Sequence, residues 1–142
     1  KEKNILTSIQ PEEMLQDKYD IISIDKTLRD LIEIIKKSDK NIFAVCDNKE
    51  RFVGIIELND VKQQLFQSEL FDKTSIRVLV KKPPAILTKQ NTMHEVMEKF
   101  DITHSWYLPV LDEDKKFIGF ISKTKLFNKY REILSSQGDL YE

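Results

Sequence analysis

The feature that most constrains this chain is an internal repeat. Displaced by 65 residues, Thr27–Leu65 aligns with Thr92–Tyr130 over 39 pairs without a gap. Seven pairs are identical: Thr27/Thr92, Glu33/Glu98, Val45/Val110, Asp47/Asp112, Phe52/Phe117, Gly54/Gly119 and Ile56/Ile121. Average residue usage gives about two or three by chance. Apolar positions coincide too: Leu28/Met93, Leu31/Val96, Ile32/Met97, Ile35/Phe100, Ile42/Tyr107, Phe43/Leu108, Val53/Ile118, Ile55/Phe120 and Val61/Leu126. The register survives every change of hydrophobic period, which reads as one structural unit written twice.

Each copy gives the same elements. Ile21–Ile24 and Ala85–Leu87 predict short strands. Thr27 and Thr92 stand at helix N-caps, and Thr92-Met93-His94-Glu95 is a capping box with its acid three residues after the cap. Leu28, Leu31, Ile32 and Ile35 fall on one helix face, and Met93, Val96, Met97 and Phe100 repeat it. Strands Ile42–Cys46 and Phe52–Ile56 are joined by the polar turn Asp47-Asn48-Lys49-Glu50. Their counterparts are Tyr107–Leu111 and Phe117–Ile121, joined by Asp112-Glu113-Asp114-Lys115. A second helix closes each copy, from about Asn59 through Leu65 and from about Thr124 through Leu134.

The expected fold is therefore α+β: two β-α-β-β-α repeats about a pseudo-twofold axis, with small three-stranded sheets packed against helices. One unit of this length makes a thin core, and two can complete it. The expected division is a leader (1–10), a first repeat (11–65), a connector (66–76), a second repeat (77–136) and a tail (137–142). The connector lacks Gly and Pro and carries Leu70 and Phe71, which predicts a packed segment and not a free linker.

Composition narrows the function. Apolar residues make 40% of the 142 and charged residues 33%, which suits a globular fold. The net charge of −1 argues against a nucleic-acid partner. Cys46 is the single cysteine, so a multi-cysteine metal site is excluded and a reducing compartment fits best. The longest apolar run, Trp106–Leu111, is six residues, against about 20 for a membrane-spanning helix. No apolar signal segment follows Lys1-Glu2-Lys3, and the start without Met points to a piece of something longer or a processed product.

Phe52-Val53-Gly54-Ile55-Ile56-Glu57-Leu58-Asn59-Asp60-Val61 and Phe117-Ile118-Gly119-Phe120-Ile121-Ser122-Lys123-Thr124-Lys125-Leu126 resemble the Gly-apolar-apolar-Ser/Thr-x-x-Asp segment of CBS domains. Leu108-Pro109-Val110-Leu111-Asp112 resembles that family's Leu-Pro-Val-Val-Asp strand. Doubled at one spacing, the motifs resemble a tandem CBS pair, or Bateman module, over roughly 11–136. The connector from Asp60 to Phe71 and the ending from Phe120 to Glu132 are similar to the cytoplasmic tails of bacterial ClC-type chloride channels and transporters.

That resemblance implies a regulatory module and not an enzyme. It implies a membrane-spanning channel domain of the same chain before Lys1 and a place on the cytoplasmic face of the bacterial inner membrane. It also implies a homodimer, for which Leu65, Phe66, Leu70, Phe71, Leu126, Phe127, Tyr130, Ile133 and Leu134 supply the expected apolar surface. The alternatives are a CBS module of another transporter or of a metabolic enzyme, and a ligand-free structural dimerisation domain.

The family's Ser/Thr and Asp contact the phosphate and ribose of an adenine nucleotide. By position, Asp60 keeps the ribose role, while Glu57 replaces Ser/Thr and opposes a phosphate. In the second copy Ser122 is present and Lys125 replaces the Asp. Neither half has the whole motif, so adenine nucleotides are expected to bind weakly or not at all; the competing reading makes Asp60 a helix-start residue and Lys125 surface charge. Gly54 and Gly119 serve either ligand approach or a tight sheet contact. Pro109 predicts an edge strand or a ligand-facing kink. Trp106 and Tyr107 pack or stack on a base. His94, His104 and Cys46 are too scattered for a local metal or nucleophile motif, and Cys46 aligns with Leu111, which predicts a buried inert thiol. Lys36-Lys37 and Lys81-Lys82 read as solvated runs, or as lipid-facing ones beside a membrane.

Overall fold

The computed structural model describes residues 9–16 and 18–141, with side chains as far as Ser136. The first repeat forms β1 (Ile21–Ser23), α1 (Leu28–Lys37), β2 (Ile42–Cys46), β3 (Phe52–Glu57) and α2 (Leu58–Val61). The second forms β4 (Leu87–Thr88), α3 (Met93–Thr103), β5 (Tyr107–Leu111), β6 (Phe117–Ser122) and α4 (Lys123–Tyr141). Two mixed three-stranded sheets result, in the orders β1-β2-β3 and β4-β5-β6. In each, the repeat's first strand lies parallel to its second, as Ile22↔Val45 and Leu87↔Val110 show. The α+β fold read from the repeat is the observed one, and the aligned strands and first helices are equivalent, while the closing helix is short in the first copy and long in the second.

The chain divides into two compact units. One holds residues 18–83 and 114–117. Its core is Ile22, Leu28, Leu31, Phe43, Val45, Ile56, Val61 and Ile76. The connector finishes α1 there. The first N–H groups of a helix have no partner within it; here the Leu28 N–H donates to the Thr74 carbonyl at 2.8 Å and the Arg29 N–H to that of Phe71 at 3.0 Å. Ile76 is fully buried and Phe71 packs on the core, so the connector is packed as expected. α2 is shorter than expected. After Val61 the chain tightens into a 3-10 turn, Gln63–Phe66, closed by i→i+3 bonds from Leu65 to Lys62 and from Gln67 to Gln64.

The other unit holds the described residues among 1–17, 84–113 and 118–142. Its core is Ile9, Met14, Leu87, Met93, Val96, Phe100, Leu108, Val110, Ile121 and Leu126. The capping box forms as read: Thr92 Oγ1 accepts from the Glu95 N–H at 3.1 Å, and Glu95 Oε1 accepts from the Thr92 N–H at 2.9 Å. The far end of α3 closes on His104, left-handed at φ 55°, whose N–H reaches the Phe100 carbonyl. His104 is thus a helix terminator.

Pro109 corrects an expectation. It lies in β5, the central strand of its sheet, and is buried. The equivalent Ala44 donates its N–H to the Asp20 carbonyl at 3.0 Å, so β1 pairs over three residues. Pro109 has no N–H to give, and β4 pairs with β5 over only Leu87 and Thr88. A central strand tolerates the proline because its neighbour starts one residue later.

Five of the nine apolar residues read as a dimer surface pack within their own units. Leu65 and Phe71 pack on one core, Tyr130 and Ile133 on the other, and Leu126 is buried. Phe66 is different, at 88% exposed.

Candidate functional site

β3 runs directly into α2, which brings Gly54, Glu57 and Asp60 close together in the unit of the first repeat. The outer edge of β3 is covered by the chain itself. Ile55 and Lys81 exchange both backbone hydrogen bonds at 2.9 Å. Gly54 is what lets that segment approach. A Cβ there would sit 2.5 Å from the Lys81 carbonyl oxygen and 2.8 Å from Val80 Cγ2. Of the two roles open to this glycine, tight backbone contact is the one the geometry displays.

The same segment delivers a cation. Lys81 Nζ lies 2.6 Å from Asp60 Oδ2 and 3.4 Å from Glu57 Oε2, with all three side chains a little under half exposed. The Asp60 bond, reinforced by Glu57, raises the Lys81 pKa above its ordinary value. The expectation that Lys81-Lys82 is simply solvated is therefore wrong for Lys81. Glu57 and Asp60 face their own counter-ion, and the unrelieved negative pair expected from the motif does not exist.

The second repeat builds the same frame with one cation, Lys125, in place of the carboxylate of Asp60 and neutral residues at the other two places. Gln16 stands 65 residues before Lys81, and its N–H donates to the Phe120 carbonyl at 2.9 Å. Ser122 is buried, its Oγ accepting from the Lys125 N–H at 3.3 Å. Lys125 Nζ donates to the Leu15 carbonyl at 3.0 Å, so its charge is held against backbone. Gly119 takes φ 147°, a conformation side-chain-bearing residues avoid.

A cleft of about 420 Å³ opens on the first repeat's unit, lined by Ile24, Asp25, Asp47, Asn48, Val53, Arg77 and Val80. Ile24, Val53 and Val80 give it an apolar wall. Arg77 supplies a guanidinium paired with Asp25 at 2.7 Å. Asp47 accepts from the Arg51 and Lys49 N–H groups, which holds its carboxyl below the usual range. Arg77, Val80 and Lys81 were not read from the sequence as site residues. The signal was available: the repeat register continues upstream to Gln16/Lys81, where both members bond to β-strand edges.

This constellation offers polar and apolar groups for binding. His94 and His104 are exposed, and among the described residues no group of three His, Cys, Asp or Glu side chains is placed to hold a metal. Burial, with Asp47 and Glu50 nearby, pushes the Cys46 thiol up to about 11. Trp106 is 66% exposed and carries the Lys123 ammonium 5.3 Å above its ring, so it belongs to no core.

The CBS domain family matches residues 12–66 and 76–132. This chain is a tandem CBS pair. Two curated relatives are similar to it: an uncharacterized protein of Methanocaldococcus jannaschii, 25% identical over 115 residues, and a homoserine O-acetyltransferase of Methanosphaera stadtmanae, 23% identical over 131. The matches take in 81% and 91% of the CBS pair but only 42% and 26% of those proteins. Among solved structures, CbpB in complex with c-di-AMP is similar at TM-score 0.77 and 17% identity, covering 99% of this chain and 96% of that one. CBSX2 in complex with AMP is similar at 0.70 and 16%, covering 87% and 97%. The cytosolic domain of the Mg2+ channel MgtE in complex with ATP is similar at 0.70 and 14%, covering 84% and 48%. These likenesses establish the fold.

They also correct the expected partner. The relatives that match are the archaeal uncharacterized protein and an acetyltransferase, and the resemblance of connector and ending to ClC-type tails finds no counterpart among them. No described helix is long and apolar enough to cross a membrane. The short connector pattern was too weak to carry a parent, because its apolar residues Leu65 and Phe71 serve the core of the first repeat's own unit.

Proposed function

We propose that this CBS pair is a regulatory binding module, not an enzyme, and that its first repeat takes an adenine nucleotide weakly at Asp60. The observation that carries the reading is the half-exposed Asp60 carboxylate just past the end of β3, the strand whose Val53 lines the cleft together with Val80, the neighbour of Lys81. A carboxylate can accept from ribose hydroxyls, and the apolar wall suits a flat base. The similar structures bound to c-di-AMP, AMP and ATP support the class of ligand. Regulation follows by linkage: a nucleotide that prefers one arrangement of an attached partner biases that partner by its differential affinity.

A metabolic enzyme is the parent favoured by the match to a homoserine O-acetyltransferase, an outcome the flanking reading frame decides. Titration calorimetry with AMP, ATP and c-di-AMP tests the ligand. The expected dissociation constant is weaker than about 10 μM, roughly −6.8 kcal/mol. Tighter binding, no binding of any of the three at millimolar concentration, or turnover of the nucleotide overturns the reading.

A further inference from the structure

We propose that Lys81 sets the charge selectivity of the first repeat: a tethered cation that lets a phosphate-bearing nucleoside compete with the neutral nucleoside beside Glu57 and Asp60. The proposal rests on the nucleotide reading above and assigns a residue that the CBS motif does not contain. Three observations carry it. The backbone of Lys81 is fixed on β3 by two hydrogen bonds to Ile55 and by close approach to Gly54, so the root of the side chain is not free to leave. Its ammonium lies between the two carboxylates at 2.6 and 3.4 Å. An ammonium has three donors, and these contacts leave one for an incoming phosphate oxygen, while an ionised Asp60 keeps acceptor capacity for a ribose hydroxyl. Finally, the arrangement is particular to this repeat. At the matching place the second repeat has Gln16, and its cation, Lys125, comes from the helix and is held by the Leu15 carbonyl.

Charge decides the direction of the effect. Glu57 and Asp60 present two negative charges, and Lys81 leaves the cluster with one. Replacing Lys81 by a neutral side chain restores full repulsion against a phosphate, yet frees Asp60 from a competitor for the ribose. Loss of the cation should therefore weaken AMP and not adenosine.

The experiment is calorimetry of AMP and adenosine on the wild-type chain, Lys81→Met and Lys81→Arg. Met keeps the aliphatic stem at a side chain 43% exposed, and the backbone bonds to Ile55 are untouched. In Lys81→Met the ratio of AMP to adenosine affinity should fall at least tenfold, with adenosine unchanged or tighter; Lys81→Arg should keep the ratio within about threefold. A ratio unmoved by Met, or equal weakening of both ligands, overturns the role of Lys81 while leaving the nucleotide reading intact. A wild-type chain that binds neither ligand overturns both. Should Lys81→Met not fold, the 15Nζ resonance of Lys81 in the wild-type chain decides: it must move with AMP and not with adenosine, and the converse overturns the proposal.

Discussion

Gly54 has no room for a methyl group, because the Lys81 carbonyl oxygen and Val80 Cγ2 already occupy the place. Backbone cannot step aside as a side-chain tip can, so Gly54→Ala should cost about 1–3 kcal/mol. A urea midpoint shift with an unchanged m-value is the check; an unshifted midpoint would show the bridge to be dispensable. Cys46 gives a second outcome at this scale. With its thiol pushed up to about 11, thiolate is scarce at neutral pH, and a disulfide reagent should label native protein far more slowly than urea-unfolded protein. A thiol raised in the folded state favours the protonated form, so stability should decline as pH rises from about 8.5, the ordinary thiol value, toward 11. Burial of Cys46 was legible from its alignment with Leu111. Lys81 was not, since its role depends on a backbone pairing between residues 26 apart that no local pattern records.

The first helices of the two repeats, α1 and α3, start differently, although both are preceded by Thr. Thr92 caps α3 with its own hydroxyl, which accepts from the Glu95 N–H. Thr27 forms a looser capping box with Asp30, whose carboxylate accepts from the Thr27 N–H at 3.0 Å and from its hydroxyl at 3.2 Å, but the hydroxyl accepts no full cap hydrogen bond, and the Leu28 and Arg29 N–H groups go to Thr74 and Phe71 of the connector. Thr92→Ala should therefore cost about 1 kcal/mol, and Thr27→Ala distinctly less, as equilibrium unfolding of the two variants would show. Equal costs would mean that the connector does not substitute for the cap. Glu95 adds a pH limb. The Thr92 N–H draws its pKa below the ordinary carboxylate value, so its contribution is present above about pH 4.3 and disappears as pH falls through the lowered folded value. Helix faces, caps and hairpins were readable here because each is set by residues three or four apart. The shortened β4 was not, because it follows from a missing N–H on a different strand, at Pro109.

At the scale of the molecule, the order of the sequence and the membership of the cores part company. Met14 and Leu15 precede the first repeat's β1, yet Met14 is 2% exposed in the core of α3, β5 and α4. Leu15 bridges to Ile121 in β6, and the Gln16 N–H bonds to Phe120. Conversely, Phe117 stacks on Phe52 and sets its edge against Tyr19 in the unit of the first repeat. The repeat was legible because equivalent packing recurs at a constant offset. The allocation of short segments to cores was not, because a 3-10 turn such as Pro11–Met14 has no period to read. This allocation makes a sharp prediction. Met14→Ala removes most of a buried side chain and should cost about 2–5 kcal/mol, with the loss of amide-exchange protection concentrated in α3, β5 and β6. A peptide of residues 77–142 lacks Ile9, Met14 and Leu15 from its core, so it should show no cooperative thermal transition alone and should gain one when a peptide of residues 9–16 is added. A cooperative transition in the shorter peptide by itself, equal to that of the full chain, would mean that the leading segment merely lies on a core already complete without it.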